Sequence, residues 1–199
     1  NFRRERCHSC SMPDALETLI QSAGALAKAG RWQEAEDAWR EVHRLSPNNP
    51  LALFGLGFHA LQRQDIAAAT AFLVQACEAS PKDLLAWLTL ARARNAAGDV
   101  TGEYDAIQSA LAVDAYFLPG LLAKASFLER RGSAASTAFA YESALKVAPP
   151  RERWPPALAE SLEHAAVYVK AHRAKFAAHL DHRLGEAYQR LPPPEQEKW

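Results

Sequence analysis

A chain of 199 residues, 49% hydrophobic and 23% charged, is long enough to bury a substantial core, as one elongated array or as up to two domains. Its 23 Lys plus Arg balance 23 Asp plus Glu, so no basic excess invites nucleic acid or an anionic membrane through counterion release. No apolar run reaches the roughly 18 residues of a membrane span; the start lacks a signal-peptide pattern and three cysteines make no disulfide framework, so the cytoplasm is the expected compartment.

In chain order, the first feature is the position of Met12, the only methionine, in a chain that opens on Asn1. Helical patterning begins right after Met12-Pro13-Asp14. Residues 1–11 are therefore read as a non-native or disordered start, either upstream translated sequence or a remnant of expression. Within them Cys7-His8-Ser9-Cys10 has the spacing of half a zinc site, but zinc wants four ligands and the sequence has no second pair, so no metal is assigned.

From residue 12 to 150 the chain repeats itself. Pro47, Pro81 and Pro149 are spaced by 34 and then twice 34 residues, with Ala115 in the skipped slot. Gly30, Gly98 and Gly132 follow the same period, with Gln64 in the remaining place. Bulky residues recur at Trp39, Leu73, Ile107 and Tyr141, small or apolar ones at Val42, Ala76, Ala110 and Ala144, and a further series runs Leu19, Leu53, Trp87 and Leu121. Each register has a physical role. Gly lets the chain leave a first helix through a left-handed backbone, and Pro stops the second helix by removing a donor and clashing with the turn before it. Small residues allow close helix approach, and bulky ones fill the gap between hairpins. The expected hairpins are 14–29 with 31–45, 49–62 with 65–79, 83–96 with 99–113, and 117–131 with 133–147.

Residues 151–191 read as a closing segment. Pro149-Pro150 and Pro155-Pro156 bracket Arg151, Glu152, Arg153 and Trp154 in a short stiff connection that helix does not cross easily. Leu158, Leu162, Ala165, Ala166, Val169, Phe176, Leu180 and Leu184 then recur at helical spacing, which predicts one long amphipathic helix. It either caps the open end of the stack or bridges to a following domain. Residues 192–199, with Pro192-Pro193-Pro194, read as a linker into a missing domain.

These registers resemble the tetratricopeptide family, most closely in the second repeat, where Leu53, Leu56, Gly57, Ala69, Leu73, Ala76 and Pro81 fall in place. Ser22 and Ala23 depart from the Leu-Gly pair in the first repeat. Glu103 and Thr137 stand where a small Ala is usual, a departure that bears on helix packing there. The resemblance implies an all-α, tetratricopeptide-type solenoid of four helical hairpins plus a long C-terminal helix. It also implies that the second, fifth, ninth, twelfth and thirteenth positions of each repeat face a peptide groove. In this chain those slots include Phe54, Phe58, Leu61, Leu88, Arg92, Asn95, Leu122, Ser126 and Glu129. The family's carboxylate-clamping version needs Lys and Asn where this chain has Ile20 and Gly24, and is disfavoured. A protein or peptide segment, or the chain's own C-terminal part, is the expected occupant.

Catalytic, cofactor-binding and metal-ligating residues are assigned to none of the 199 positions. His164, His172, His179 and His182 crowd the last helix; His179 and His182 are about one turn apart, but Asp181 points elsewhere, and a solvated face is the simpler reading. Asp65, Asp99 and Asp105 read as helix-start or surface residues, and Cys77 as a small core residue. Four repeats, Trp154-Pro155-Pro156, a histidine-rich helix and a Pro-rich exit together resemble bacterial aspartyl/asparaginyl β-hydroxylase-like proteins. That resemblance implies an iron(II)- and 2-oxoglutarate-dependent oxygenase domain after these repeats, with its iron ligands outside this chain. A stand-alone scaffold, or repeats fused to another enzyme such as a sulfotransferase, is the alternative.

Overall fold

The computed structural model describes residues 12–190; the expected start at 1–11, its CxxC cluster and the linker at 192–199 lie outside the described residues. Two compact units divide the chain between Val113 and Asp114, so the fourth hairpin shares its unit with the closing helix.

The first unit is three antiparallel hairpins. They are α1 (Met12–Lys28) with α2 (Trp32–Leu45), α3 (Pro50–Gln62) with α4 (Ile66–Ala79), and α5 (Leu84–Ala96) with α6 (Val100–Val113). Each helix packs on the next. Side-chain caps set the starts: the Asn49 carboxamide oxygen accepts from the Leu51 and Ala52 amides, Asp65 from Ala68, Asp83 from Leu85 and Ala86, and Asp99 from Gly102. The 34-residue turn slot is left-handed in the first three repeats. Gly30 and Gly98 have φ of 73° and 74°, and Gln64 adopts φ 64° with a side chain in place.

Close approach explains the apolar registers. Ala23, Trp39, Val42, Ala52 and Leu56 form one buried cluster. Gly55 lies so near the Trp39 ring that a Cβ there would sit 2.6 Å from the indole nitrogen, and a Cβ on Gly57 would meet the Leu73 Cγ at 2.6 Å. The Leu-Gly pair of the second repeat is thus a point of helix contact rather than a flexible spot. Glu103, in a slot where Ala is usual, is buried nonetheless.

The second unit is α7 (Leu118–Arg130), α8 (Ala134–Val147), a single 3-10 turn at Arg151–Arg153 and α9 (Ala159–Arg190). The stiff connection is anchored: the Trp154 indole donates to the Pro149 carbonyl at 2.9 Å, and the Arg151 guanidinium lies 5.6 Å from the Trp154 ring centre and pairs with Glu163. Leu162, Ala165 and Val169 of α9 join Leu122, Ala125, Tyr141 and Ala144 in one core. Thr137, again in an Ala slot, is fully buried. The expected apolar stripe of the last helix thus divides in two. Leu162, Ala165 and Val169 are buried, whereas Phe176, Leu180 and Leu184 are exposed.

Candidate functional site

In the first unit, α3 offers the aromatic part of the expected groove. Phe54 and Phe58 are one helical turn apart, and their rings stack at 6.3 Å between centroids and 26° between planes. Trp32, at the start of α2, reaches across to Phe58 (6.4 Å) and to His59 (5.9 Å). Phe54 and Phe58 are half-buried, and about half of Trp32 is open to solvent. Leu61, one turn further along α3, is 8% exposed. On α5, Leu88 is half-buried while Arg92 and Asn95 are exposed. Leu51 and Leu85, at the second repeat position in the first turns of α3 and α5, are exposed large apolar residues beside the expected groove positions.

Behind this surface lies a polar support. Glu36 of α2 is almost fully buried and forms ion pairs with Arg40, at 2.5 Å, and with Arg63 at the end of α3. The buried carboxylate is stable there because both arginines meet it. His59, beside it, is pulled below the ordinary imidazole range by burial, with Glu36 opposing. The neutral ring is therefore the favoured form under the aromatic cluster. A trough of about 340 Å³ between α2 and α3 is lined by Glu36, Arg40, His43 and Arg44, and Phe72 of α4 closes it, with ring centroids 5.8 Å from His43.

In the second unit, the three expected groove residues of the fourth repeat come together. Leu122, Ser126 and Glu129 of α7 line a hollow of about 440 Å³ with Tyr141 of α8 and Ser161 and His164 of α9. Glu129 is its polar centre. The Tyr141 hydroxyl donates to it at 2.6 Å, and His164 Nε2 lies 2.9 Å from the same oxygen. Burial raises the Glu129 carboxyl, but the hydrogen bonds from Tyr141 and His164 outweigh it, so the group lies below its ordinary value. Tyr141 moves well up, through burial first and then through the Glu129 carboxylate. Leu122 is buried as the floor of this hollow. Within the unit α9 packs chiefly on α8 and lightly on α7, so it stands beside α7 as a further first helix and supplies a wall rather than a plug.

The other titratable groups fall elsewhere. The Cys77 thiol is buried in the first unit and pushed up to about 12 by desolvation, which makes it unreactive. His179 and His182 are exposed on α9, the latter 3.5 Å from Glu186. Among the described residues no group of three or more His, Cys, Asp and Glu is placed to hold a metal ion. Nor is any described helix long and apolar enough to cross a membrane.

No protein-family model matches the chain, and no curated protein does. Solved structures do. A crystal structure of MamA protein is 17% identical over 91% of this chain and 98% of that one, with a TM-score of 0.64. A MamA fragment from Desulfovibrio magneticus RS-1 is 23% identical, covering 66% and 75%, with a TM-score of 0.61. A chain of the APC/C hetero-tetramer Cut9-Hcn1 is 16% identical, covering 74% of this chain and 29% of that one, with a TM-score of 0.63. At these identities the likeness is one of fold: all-α and tetratricopeptide-type, with four hairpins and a long last helix.

Proposed function

We propose that this chain is a protein- or peptide-binding repeat region whose first-helix surface holds an apolar segment of its partner. The observation that carries the reading is the aromatic set Trp32, Phe54 and Phe58, left partly open beside Leu51 and Leu85. Large side chains at regular helical spacing, left partly open to solvent, are the anchors such recognition uses. A chain similar in fold occurs in a hetero-tetramer of two different proteins, Cut9 and Hcn1, which supports a partner-binding role for the architecture. The test is a random peptide display selection on the full chain, followed by titration of the selected peptides against Phe58→Ser and Leu85→Glu. Affinity should fall about tenfold or more in each variant with the circular dichroism melt retained. Selected peptides that bind both variants as tightly as the parent would sink the reading.

The finer reading places these repeats ahead of an aspartyl/asparaginyl β-hydroxylase-like oxygenase domain. It is supported by the order of four hairpins, the Trp154-Pro155-Pro156 connection and the histidine-bearing last helix. In that reading iron(II) and 2-oxoglutarate belong to the further domain, which carries the iron ligands. Reading the genomic frame past Trp199 decides it: an oxygenase domain with spaced histidines is the expected result, and a nearby stop codon overturns it.

A further inference from the structure

The fourth hairpin carries, on the side away from the hollow at Glu129, a second trough between α8 and α9. It has a volume of about 420 Å³, an apolar floor of Leu145, Ala166 and Val169, and a rim of Lys146, Lys170 and Arg173. Glu142 is the one acid lining it, and that carboxylate is already committed to Arg173 at 2.7 Å and Lys146 at 3.6 Å. The rim therefore carries excess positive charge.

A counterpart within the same chain shows what such a trough receives. Glu142, Leu145 and Lys146 stand three repeat periods after Arg40, His43 and Arg44, which line the α2–α3 trough of the first unit. There Phe72, from the second helix of the following hairpin, lies against His43 at an edge-to-face angle of 89°. Among the described residues the α8–α9 trough is lined by α8 and α9 alone, and no such aromatic enters it.

The apolar surface continues beyond the trough. Contacts Arg151–Glu163, Tyr141–Tyr168 and Glu142–Arg173 show that α8 and α9 run antiparallel. Phe139 is three residues before Glu142 and Phe176 three after Arg173, so each lies one turn past the ion pair in the same direction. Phe139 is 72% exposed, and Phe176, Leu180 and Leu184 are 58%, 43% and 56% exposed. Such a run of large apolar side chains on one edge marks an interaction surface.

We propose that this trough and edge dock an amphipathic helix of another protein, with acidic residues flanking an aromatic or leucine anchor that takes the place Phe72 holds in the first unit. Charge selects this occupant. A second copy docking through the same face would bring a like-charged rim, which opposes pairing, whereas acidic flanks meet Lys146 and Lys170 directly. The concave trough also favours a helix ridge over a flat lipid surface, which would not reach Leu145 and Ala166 below the lysines.

The test uses the full chain and a labelled 18-residue amphipathic helical peptide with a Phe/Leu stripe and Glu/Asp flanks, against the same stripe with Lys flanks. The acidic peptide should bind at least about tenfold tighter, and Lys146→Glu with Lys170→Glu should remove that preference while the helical circular dichroism spectrum and a cooperative melt are retained. Both lysines border the trough through flexible side chains, so their replacement leaves the core intact. Binding by neither peptide, equal binding of the two, or indifference to the lysine changes overturns the proposal. So does a concentration-dependent dimer in sedimentation that competes with the peptide, which assigns the trough to a second copy. Flotation on phosphatidylserine-containing vesicles that the same lysine changes abolish, without peptide discrimination, assigns it to a lipid surface and equally overturns it.

Discussion

Tyr141 and Glu129, twelve residues apart, meet at 2.6 Å at the junction of α7 and α8, where the carboxylate also receives His164 from α9. One acceptor thereby ties together all three helices of the second unit. Tyr141→Phe keeps the ring and removes the donor. It should cost about 1–2 kcal/mol, read from urea unfolding. Because the folded Glu129 carboxyl lies below its reference of 4.5, its contribution is present above that pH and is lost as pH falls through the folded value. An unfolding midpoint unchanged by the substitution near neutral pH would show that the bond contributes nothing.

Burial holds His59 below its ordinary 6.5, so the folded chain keeps it neutral while the unfolded chain takes up a proton. Its contribution is present above 6.5 and declines as pH drops through the folded value. The parent should lose stability between about pH 7 and pH 5, and His59→Phe should flatten that part of the profile. Parallel profiles for the two proteins would refute this assignment.

Gln64 occupies with φ 64° the turn slot held by glycine in the other three repeats. Gln64→Gly should stabilise the first unit by about 0.5–1 kcal/mol, since relief of backbone strain exceeds the added freedom of the unfolded chain. A lower melting temperature for the variant would contradict it.

Thr137 is fully buried on α8 with its hydroxyl unpartnered among the described residues. Thr137→Val keeps the branched shape and removes the stranded polar atom, so stability should rise by about 1 kcal/mol in thermal or urea melts. A loss of stability would reveal a partner for that hydroxyl.

Gly57→Ala should destabilise by about 1–3 kcal/mol, because the new methyl meets the Leu73 Cγ at 2.6 Å and its backbone nitrogen at 3.3 Å. Gly24→Ala is the matched control: nothing lies within 4 Å of its Cβ position, and helix propensity should stabilise it by up to about 1 kcal/mol. Equal melts for the two variants would refute the packing account.

The repeat register was legible because each slot has one recurring duty. Proline stops, left-handed turns and Asp or Asn caps recur at fixed offsets, so helix ends fall within a few residues of their expected places. The stacking of Phe54 on Phe58 follows from a four-residue spacing on one helix. Contacts between helices were less readable. Trp32 reaches Phe58, and His164 reaches Glu129, through side-chain directions that periodicity does not encode. Leu61 and Leu122 have the apolar character of a groove wall, but whether such a side chain forms the wall or the floor depends on neighbouring helices. The stripe of α9 raised the same ambiguity, since spacing marks an apolar face without saying where its cover stops.

That helix has a consequence for motion. Around Leu162, Ala165 and Val169 its amides are covered by packing, and solvent exchange there requires the second unit to open. From Lys170 to Leu184 the side chains are mostly exposed, protection rests chiefly on the helical hydrogen bonds themselves, and fraying of a few turns suffices. One uninterrupted helix thus carries two hydrogen-exchange regimes, with Val169 at their border. Slowing confined to the outer stretch around Phe176, Leu180 and Leu184 would record the arrival of anything that settles there.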